Sequence, residues 1–251
     1  MQLKKIAIAL ALAGSTIAAG SANAAVIDLG FVLDRSGSVG SGNWTSVTSG
    51  LANALAVIPT AGPNQYRIAV SSFATTASVD VLPVILTAGN LAGIQASINA
   101  IAFTNGNTCI QCGTTALTNA YIADGGLSSS SLMNISTDGV PNIGETNGTT
   151  LRNSLTASGW DSISAEAIGN FNLSFLQALV SPNPGVTTND PNALPNPLVQ
   201  GFVLTVANFD DYGPAIAAKV QNIVDLPEPG SVALLGVALA GIAGLRRKQA
   251  S

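Results

Sequence analysis

The sequence predicts an α/β fold: a doubly wound, mostly parallel sheet of about six strands, flanked by helices, with one antiparallel strand near an edge. Three observations support this fold class. Short apolar runs of strand length alternate with longer segments whose apolar residues recur at helical spacing. The runs are apolar almost throughout, as in strands buried on both faces. Two of them follow each other too closely to hold a helix between them, which predicts a hairpin and hence the antiparallel strand.

The part of the chain that follows residue 24 has the clearest periodicity. Apolar side chains recur at helical intervals after the first apolar run, for example at Trp44, Val47 and Leu51. The elements predicted here are strand 26–33, helix 43–58, strands 66–73 and 79–86, and helices 90–101 and 115–123. The two adjacent strands form the predicted hairpin.

The second half of the chain alternates strand and helix. The elements predicted there are strand 132–137, helix 150–157, strand 162–168, helix 171–180, strand 201–207 and helix 212–224. Residues 181–197 are rich in proline and asparagine and lack periodicity, so we predict an irregular loop. In folds of this class, ligands bind at the carboxyl ends of the strands.

The first 24 residues have the features of a secretory signal peptide. Lys4 and Lys5 precede an apolar stretch, residues 6–13, and the segment ends in Ala22-Asn-Ala24. A buried N-terminal helix is the alternative, but the small-residue site lies where a signal peptidase would cleave. We therefore predict cleavage after Ala24 and export of the protein.

The last 25 residues, 227–251, also suggest a sorting signal. Pro227-Glu228-Pro229 precedes an apolar run, residues 230–245, and Arg246, Arg247 and Lys248 follow it. As a helix the run would span about 24 Å, slightly less than the hydrocarbon core of a bilayer. The segment resembles the PEP-CTERM sorting signal of Gram-negative bacteria. This resemblance implies contact with the membrane before processing, an exosortase-type processing enzyme, and a link to exopolysaccharide or biofilm production. An ordinary transmembrane anchor is the alternative, and it would also place the domain outside the cytoplasm.

Residues 25–226 form one predicted domain that is long enough for a substantial core. This domain has four basic and twelve acidic side chains, a formal charge of −8. An acidic domain repels phosphate backbones, so we expect no nucleic-acid partner. The chain contains no histidine, which excludes a Ser-His-Asp triad and imidazole metal ligands.

Polar side chains lie at the ends of two predicted strands. Asp34 follows the first strand, with Ser36 and Ser38 beside it, and Asp138 follows a later strand. The carboxyl ends of parallel strands share one edge of the sheet, so these residues are expected to meet. Carboxylates and hydroxyls together form an all-oxygen environment that suits a hard divalent cation.

Each of these residues has a simpler interpretation when it is considered alone. Asp34 and Ser36 also fit a helix N-cap, and Asp138 with Gly139 also fits a plain turn. Their joint occurrence, in this order and at strand ends, favours metal binding.

The same residues resemble the von Willebrand factor type A domain family. DRSGS, residues 34–38, is similar to the Asp-x-Ser-x-Ser loop of that family, and TDG, residues 137–139, is similar to its later aspartate. The order of elements is also similar along nearly all of residues 25–226. The resemblance implies a metal-ion-dependent adhesion site (MIDAS). In such a site, Ser36, Ser38 and a threonine bind the metal directly, while Asp34 and Asp138 act largely through bound waters.

The threonine of the implied site is selected by alignment. The family usually has Gly-Gly-Thr before a helix, whereas this chain has Cys112-Gly113-Thr114-Thr115. The family pattern Thr-x-x-x-x-Ala-Leu selects Thr115, because Ala120 follows five residues later, and Thr114 is the alternative. The expected cofactor is Mg²⁺, with Mn²⁺ or Ca²⁺ as alternatives. Hydroxyl ligands leave the ion electropositive and able to bind an acidic group of a partner.

Cys109 and Cys112 are the only cysteines. In an exported protein they are expected to form a structural disulfide beside the metal-binding threonine. A redox Cys-x-x-Cys site is an alternative, but the thioredoxin-like context after a first strand is missing. Two thiolates alone do not complete a zinc site.

Three classes of function are compatible with these features. The leading one is a non-enzymatic adhesion or matrix protein at the envelope, the cell surface or the extracellular matrix of a Gram-negative bacterium. It would bind an acidic group on a protein or polysaccharide through the cation. The alternatives are a structural envelope component with a stabilising metal and a metal-assisted hydrolase in which the cation activates water.

Overall fold

The computed structural model describes residues 25–226. The strands are β1 (Ala25–Asp34), β2 (Asn64–Phe73), β3 (Ala77–Ile85), β4 (Ser131–Thr137), β5 (Ser162–Ile168), β6 (Val186–Thr188) and β7 (Phe202–Val206). The helices are α1 (Gly40–Ala54), α2 (Leu91–Asn99), α3 (Ile110–Ala123), α4 (Gly148–Ala157), α5 (Leu173–Leu179) and α6 (Tyr212–Val224). Two short 3₁₀ helices, Leu55–Val57 and Phe209–Asp211, extend α1 and precede α6.

The seven strands form one sheet in the order β3-β2-β1-β4-β5-β7-β6. The pairs β1–β4, β4–β5, β5–β7 and β6–β7 are parallel, and the β2–β3 hairpin is antiparallel. The predicted fold class is therefore confirmed, including the antiparallel strand at an edge. The additional strand, β6, lies within the segment predicted as an irregular loop. Its three residues are too few to produce a periodic pattern.

Two hydrophobic cores cover the two faces of the sheet. One packs α1, α2 and α6 against one face, and the other packs α3, α4 and α5 against the opposite face. Successive β1 residues alternate between them: Phe31 and Leu33 face the first core, and Val32 faces the second. This burial on both sides explains why the strands are continuous apolar runs.

Helix α3 packs against the sheet at two glycines that leave space for neighbouring side chains. A Cβ atom at Gly113 would be 2.6 Å from Phe73 Cδ1 and 2.7 Å from Val32 Cγ1. A Cβ atom at Gly30 of β1 would be 2.6 Å from Leu117 Cδ2. The position of α3, and of the loop that leads into it, therefore depends on these two glycines.

Among the described residues, no helix is long and apolar enough to cross a membrane. The predicted signal peptide, residues 1–24, and the predicted membrane segment, residues 230–245, lie outside the described residues. Both remain predictions from the sequence.

Substitution of Gly113 by alanine tests the close approach of α3. We expect Gly113→Ala to destabilise the domain by about 1–3 kcal/mol, because the added methyl group overpacks the core. The matched control is Gly93→Ala in α2, where a Cβ atom meets nothing within 4 Å. It should be neutral or stabilise by about 0.5–1 kcal/mol through helix propensity. Urea unfolding of the two variants measures both effects. Equal free energies of unfolding for Gly113→Ala and Gly93→Ala would contradict the packing argument.

Candidate metal centre

Asp34 is the last residue of β1, and its side chain is buried, with an exposed fraction of 1%. Its Oδ1 accepts a hydrogen bond from the backbone N–H of Ser36 at 2.8 Å. Its Oδ2 accepts a hydrogen bond from Thr137 Oγ1 at 2.6 Å. Contacts from the loop after β1 and from the end of β4 therefore fix the orientation of the carboxylate.

The hydroxyls of Ser36 and Ser38 extend from this point to Asp138. Ser38 Oγ donates a hydrogen bond to Asp138 Oδ1 at 2.8 Å, and Ser36 Oγ lies 3.3 Å from Ser38 Oγ. Ser36 is buried, whereas Ser38 is exposed. The structure thus brings together four of the residues predicted from the sequence: Asp34, Ser36, Ser38 and Asp138.

Thr108 is the threonine that joins this group. Its Oγ1 donates a hydrogen bond to Ser36 Oγ at 3.1 Å, and its side chain is buried. Together with Asp34, Ser36, Ser38 and Asp138 it forms what we call the oxygen cluster. Sequence analysis missed Thr108, although it ends a loop of asparagine and glycine, TNGNT at residues 104–108, directly before a helix.

Thr114 and Thr115, the two threonines considered in the sequence analysis, lie inside α3. Thr114 Oγ1 donates to the carbonyl oxygens of Ile110 and Gln111, both at 3.1 Å. Thr115 is exposed and lines a shallow depression on the helix surface. Helix α3 begins at Ile110, five residues before the predicted start, so that residue 115 is in its second turn.

Three further residues hold the oxygen cluster in place, and the sequence analysis identified none of these roles. Thr137 Oγ1, which donates to Asp34, also accepts from the N–H of Gly139 at 3.0 Å. Asn142 Oδ1 accepts from the N–H of Thr108 at 2.9 Å, and the N–H of Asn142 donates to the Thr108 carbonyl oxygen at 3.1 Å. A Cβ atom at Gly139 would be 2.9 Å from Thr108 Oγ1 and 3.3 Å from Asp34 Oδ2. This position therefore requires glycine.

The electrostatics of the cluster favour a cation. Burial raises the pKa of the Asp34 carboxyl from its ordinary 3.8 to about 6, although hydrogen bonds from Ser36 and Thr137 oppose the shift. Burial also raises the pKa of Asp138. Every ion pair within residues 25–226 involves other carboxylates, so neither aspartate has a cationic side chain as a partner there. A bound divalent ion would supply the missing positive charge.

The donor set decides which kind of ion fits. The described residues contain no group of three or more histidine, cysteine, aspartate and glutamate side chains that could hold a metal. Hydroxyl oxygens must therefore complete the ligand shell, and hard cations accept such ligands. The residues of the oxygen cluster fit Mg²⁺, Mn²⁺ or Ca²⁺ better than a metal that prefers thiolate or imidazole.

Cys109 and Cys112 form a disulfide at the N-terminus of α3. Cys109 is buried, its N–H donates to the carbonyl oxygen of Ala74 at 3.2 Å, and its Sγ accepts from the N–H of Cys112 at 3.3 Å. Both thiols are therefore engaged with each other rather than available to zinc. The bond stiffens the first turn of the helix at the point where Thr108 enters the oxygen cluster.

Comparison with protein families identifies two regions of the chain. A model of the von Willebrand factor type A domain matches residues 28–192, and a model of the PEP-CTERM protein-sorting motif matches residues 225–248. These matches confirm both resemblances that the sequence suggested. No curated protein matches the chain significantly. The boundaries of the three predicted regions, 1–24, 25–226 and 227–251, remain predictions.

Solved structures with a similar fold include a matrix protein and a pilus adhesin. Proximal thread matrix protein 1 from the mussel byssus is 19% identical, with a TM-score of 0.61 over 80% of this chain and 46% of that chain. The pilus adhesin SpaC from Lactobacillus rhamnosus GG is 16% identical, with a TM-score of 0.59 over 80% of this chain and 31% of that chain. This chain thus spans less than half the length of either protein, and the similarity shows the fold alone.

A second structure of the mussel protein is informative about metal binding. It is described as having a zinc-occupied MIDAS motif, and it is 19% identical to this chain, with a TM-score of 0.58 over 79% of this chain and 46% of that chain. A MIDAS motif in that protein therefore accepts a divalent metal.

The raised pKa of Asp34 predicts how stability depends on pH without metal. An acid with a raised pKa in the folded state stabilises the fold below its ordinary pKa and loses that contribution as pH rises through its folded pKa. In chelator-treated protein, we expect a loss of about 2 kcal/mol between pH 4 and pH 6.5 from this group. Urea unfolding across this range should show a smaller loss for Asp34→Asn, and Asp190→Asn, on an exposed loop, serves as the control. Equal pH profiles for Asp34→Asn and the wild type would contradict this account.

Proposed function

Because the chain belongs to the von Willebrand factor type A domain family, we propose that it is an exported binding protein that holds a divalent cation in the oxygen cluster. The cation binds an acidic group on a protein or polysaccharide ligand. The observation that carries this proposal is the chain of contacts from Asp138 through Ser38 and Ser36 to Thr108, in which neighbouring oxygens are 2.8–3.3 Å apart.

Each residue of the oxygen cluster has a defined task in this proposal. Ser36, Ser38 and Thr108 bind the ion directly, and Asp34 and Asp138 hold its waters. Thr108 replaces Thr115 in this set, because its hydroxyl contacts that of Ser36. When bound, the ion supplies a strong positive charge and an open coordination position for an anionic oxygen.

The spacing of the proposed direct ligands suits a hard divalent cation. The Thr108 and Ser36 hydroxyl oxygens are 3.1 Å apart, and those of Ser36 and Ser38 are 3.3 Å apart. Neighbouring octahedral ligands lie about 2.8–3.0 Å apart around Mg²⁺ and about 3.3–3.7 Å apart around Ca²⁺, so both contacts lie near this range. We propose Mg²⁺, as the sequence leads us to expect, with Mn²⁺ and Ca²⁺ as the competing ions.

The charge of the domain makes ligand binding depend on the ion. With twelve acidic and only four basic side chains, the domain has a net negative charge, which repels an anionic ligand at long range. The surface next to the cluster is polar, with Arg35, Thr75, Thr76, Thr104 and Asn105 among the residues that line a neighbouring depression. Hydroxyls and an amide can hydrogen-bond to a sugar or peptide chain whose acidic group is held by the metal.

The sorting motif supports an activity outside the cytoplasm. A PEP-CTERM motif indicates export and cell-surface sorting in Gram-negative bacteria, and implies exosortase processing. We propose that the mature protein acts at the cell surface or in the extracellular matrix. The adhesin and matrix proteins with a similar fold support a non-enzymatic role for this chain.

The assignment of Thr108 is tested by two matched hydroxyl deletions. Thr108→Val should abolish the heat of Mg²⁺ binding and the rise in melting temperature that Mg²⁺ causes, whereas Thr115→Val should leave both unchanged. In the wild type, metal at 100 times its dissociation constant should add about 2.7 kcal/mol of stability. Calorimetry and thermal melts with and without chelator measure these effects, and circular dichroism verifies folding. Loss of binding in Thr115→Val alone would restore the original assignment, and no binding of Mg²⁺, Mn²⁺ or Ca²⁺ to the wild type would refute the metal site.

Ligand binding is tested with surface polymers and proteins from the producing cells. We expect the exported protein to retain them in the presence of Mg²⁺ and to release them when a chelator is added. Asp138→Ala should behave like the chelated wild type, because it removes a carboxylate that holds the waters of the ion. Metal binding without retention of any ligand would favour the structural role, and metal-dependent degradation of the polymer would favour the hydrolase.

A further inference from the structure

The core between the sheet and α6 contains a buried lysine, Lys219. It is the only lysine within residues 25–226, and its exposed fraction is 1%. Lysine is rarely buried to this extent, because its ammonium group loses its hydration. The proposed function does not use this residue.

Lys219 shares a carboxylate with an asparagine. Lys219 Nζ lies 2.6 Å from Glu166 Oε1, and Asn134 Nδ2 donates to Glu166 Oε2 at 2.6 Å. The exposed fractions of Glu166 and Asn134 are 0% and 4%. The two oxygens of one buried carboxylate thus contact an amine and a carboxamide, which belong to different secondary-structure elements, α6 and β4.

The surroundings hold Glu166 and exclude water. Ser136 Oγ also donates to Glu166 Oε2, at 2.9 Å, and lies 3.0 Å from the hydroxyl of Tyr212. The ring of Phe202 covers the amine, with Nζ 5.0 Å from the ring centroid. Hydroxyl groups therefore hold the carboxylate in position, and an aromatic ring shields the amine from solvent.

Several atoms of this group are not satisfied by ordinary hydrogen bonds. Asn134 Oδ1, Glu166 Oε1 and Lys219 Nζ are buried without an aligned hydrogen-bond partner among the described residues. The short Lys219–Glu166 approach is therefore an ionic contact with poor hydrogen-bond geometry. Buried unsatisfied polar atoms are rare in native proteins and call for an explanation.

We propose that Lys219 and Asn134 form an intramolecular isopeptide bond and that Glu166 transfers the protons. Lys219 passes a proton to Glu166 and becomes a neutral amine, whose Nζ attacks Cγ of Asn134. Glu166 delivers this proton to Nδ2, the C–N bond to Nδ2 breaks, and ammonia leaves. Glu166 then takes the surplus proton from Nζ, so that the products are a secondary amide, one ammonia molecule and a neutral Glu166 carboxyl group. Charge and protons balance, and the reaction requires no oxidant and no further reactant.

The physical conditions of the site favour this reaction over a permanent ion pair. Burial lowers the pKa of the Lys219 amine, although Glu166 opposes the shift, and a neutral amine is the nucleophilic form. Glu166 contacts both the nucleophile and the leaving group, which is the arrangement that general acid-base catalysis requires. The amide replaces a buried charge pair, whose desolvation is expensive, by neutral groups. The product would tie α6 to β4, the strand that leads to Asp138.

Intact mass spectrometry tests the proposal on protein recovered from producing cells, after reduction of the disulfide. Once both termini have been mapped, the wild type should be lighter than its sequence by the mass of one ammonia molecule. Trypsin should not cleave after Lys219, and its digest should contain a branched peptide that joins Asn134 to Lys219. A wild-type mass equal to that of the sequence would overturn the proposal and leave an ordinary buried ion pair.

Two variants test the chemistry. Glu166→Gln cannot transfer the protons and should retain the full mass of its sequence. Asn134→Asp should lose water in place of ammonia and reach the same final mass as the wild type, because the two products are identical. This variant keeps the test decisive if Glu166→Gln does not fold. Loss of ammonia in Glu166→Gln, or at an asparagine other than Asn134, would contradict the assigned roles.

Discussion

The parallel pairing of β1 with β4 is the constraint on which the candidate metal centre depends. Leu33 pairs with Ser136, so the two strands end side by side, and the residues that follow them enter the same space. Asp34 comes directly after one partner and Thr137 directly after the other. A shift of register by one residue would reverse the faces of the strand and move Asp34 away from Thr137. Hydrophobic burial on both faces of the sheet fixes this register, and the polar cluster follows from it.

Thr108 does not lie in a strand, and hydrogen bonds, a disulfide and helix packing position it instead. Asn142 holds the backbone of Thr108 on both its N–H and its carbonyl side. The disulfide follows immediately in the chain, and α3 is seated on the sheet by Gly113. The loop that supplies the third hydroxyl is thus anchored by the segment after β4, by a covalent bond and by close helix packing.

The fold could be predicted from the sequence because it depends on long apolar patterns. Nearly every predicted strand and helix is present within a few residues of its predicted bounds. The juxtaposition of four candidate residues could be predicted for the same reason, since parallel topology brings strand ends together. These residues are Asp34, Ser36, Ser38 and Asp138. Thr108 was missed because it depends on where α3 begins, and the segment Cys109–Cys112 has no strong helix-start signal. The three-residue strand β6 carried too little pattern to be recognised.

The buried polar group around Lys219 could not have been predicted from the sequence at all. In the sequence of α6, Lys219 stands among small and apolar residues, so its side chain would be expected to reach solvent. Only the packed structure shows that its amine contacts Glu166. Glu166 and Asn134 lie in strands whose other residues are apolar or carry hydroxyl groups. Their contact partners belong to other strands and helices. Contacts between distant elements are set by packing, and periodicity carries no information about them.

The two polar sites of the domain use carboxylates in opposite ways. In the oxygen cluster, Asp34 and Asp138 have no cationic side chain among the described residues, so their charge is available to a metal ion and its waters. In the core, Glu166 lies against the Lys219 amine and accepts hydrogen bonds from hydroxyl and amide donors, so protein groups surround its charge. Charge that is left uncompensated at the edge of the sheet creates a demand for an external cation. In the proposed function, hydroxyls rather than further carboxylates complete that site, so a bound cation would keep enough positive charge to attract an acidic ligand to an otherwise acidic surface.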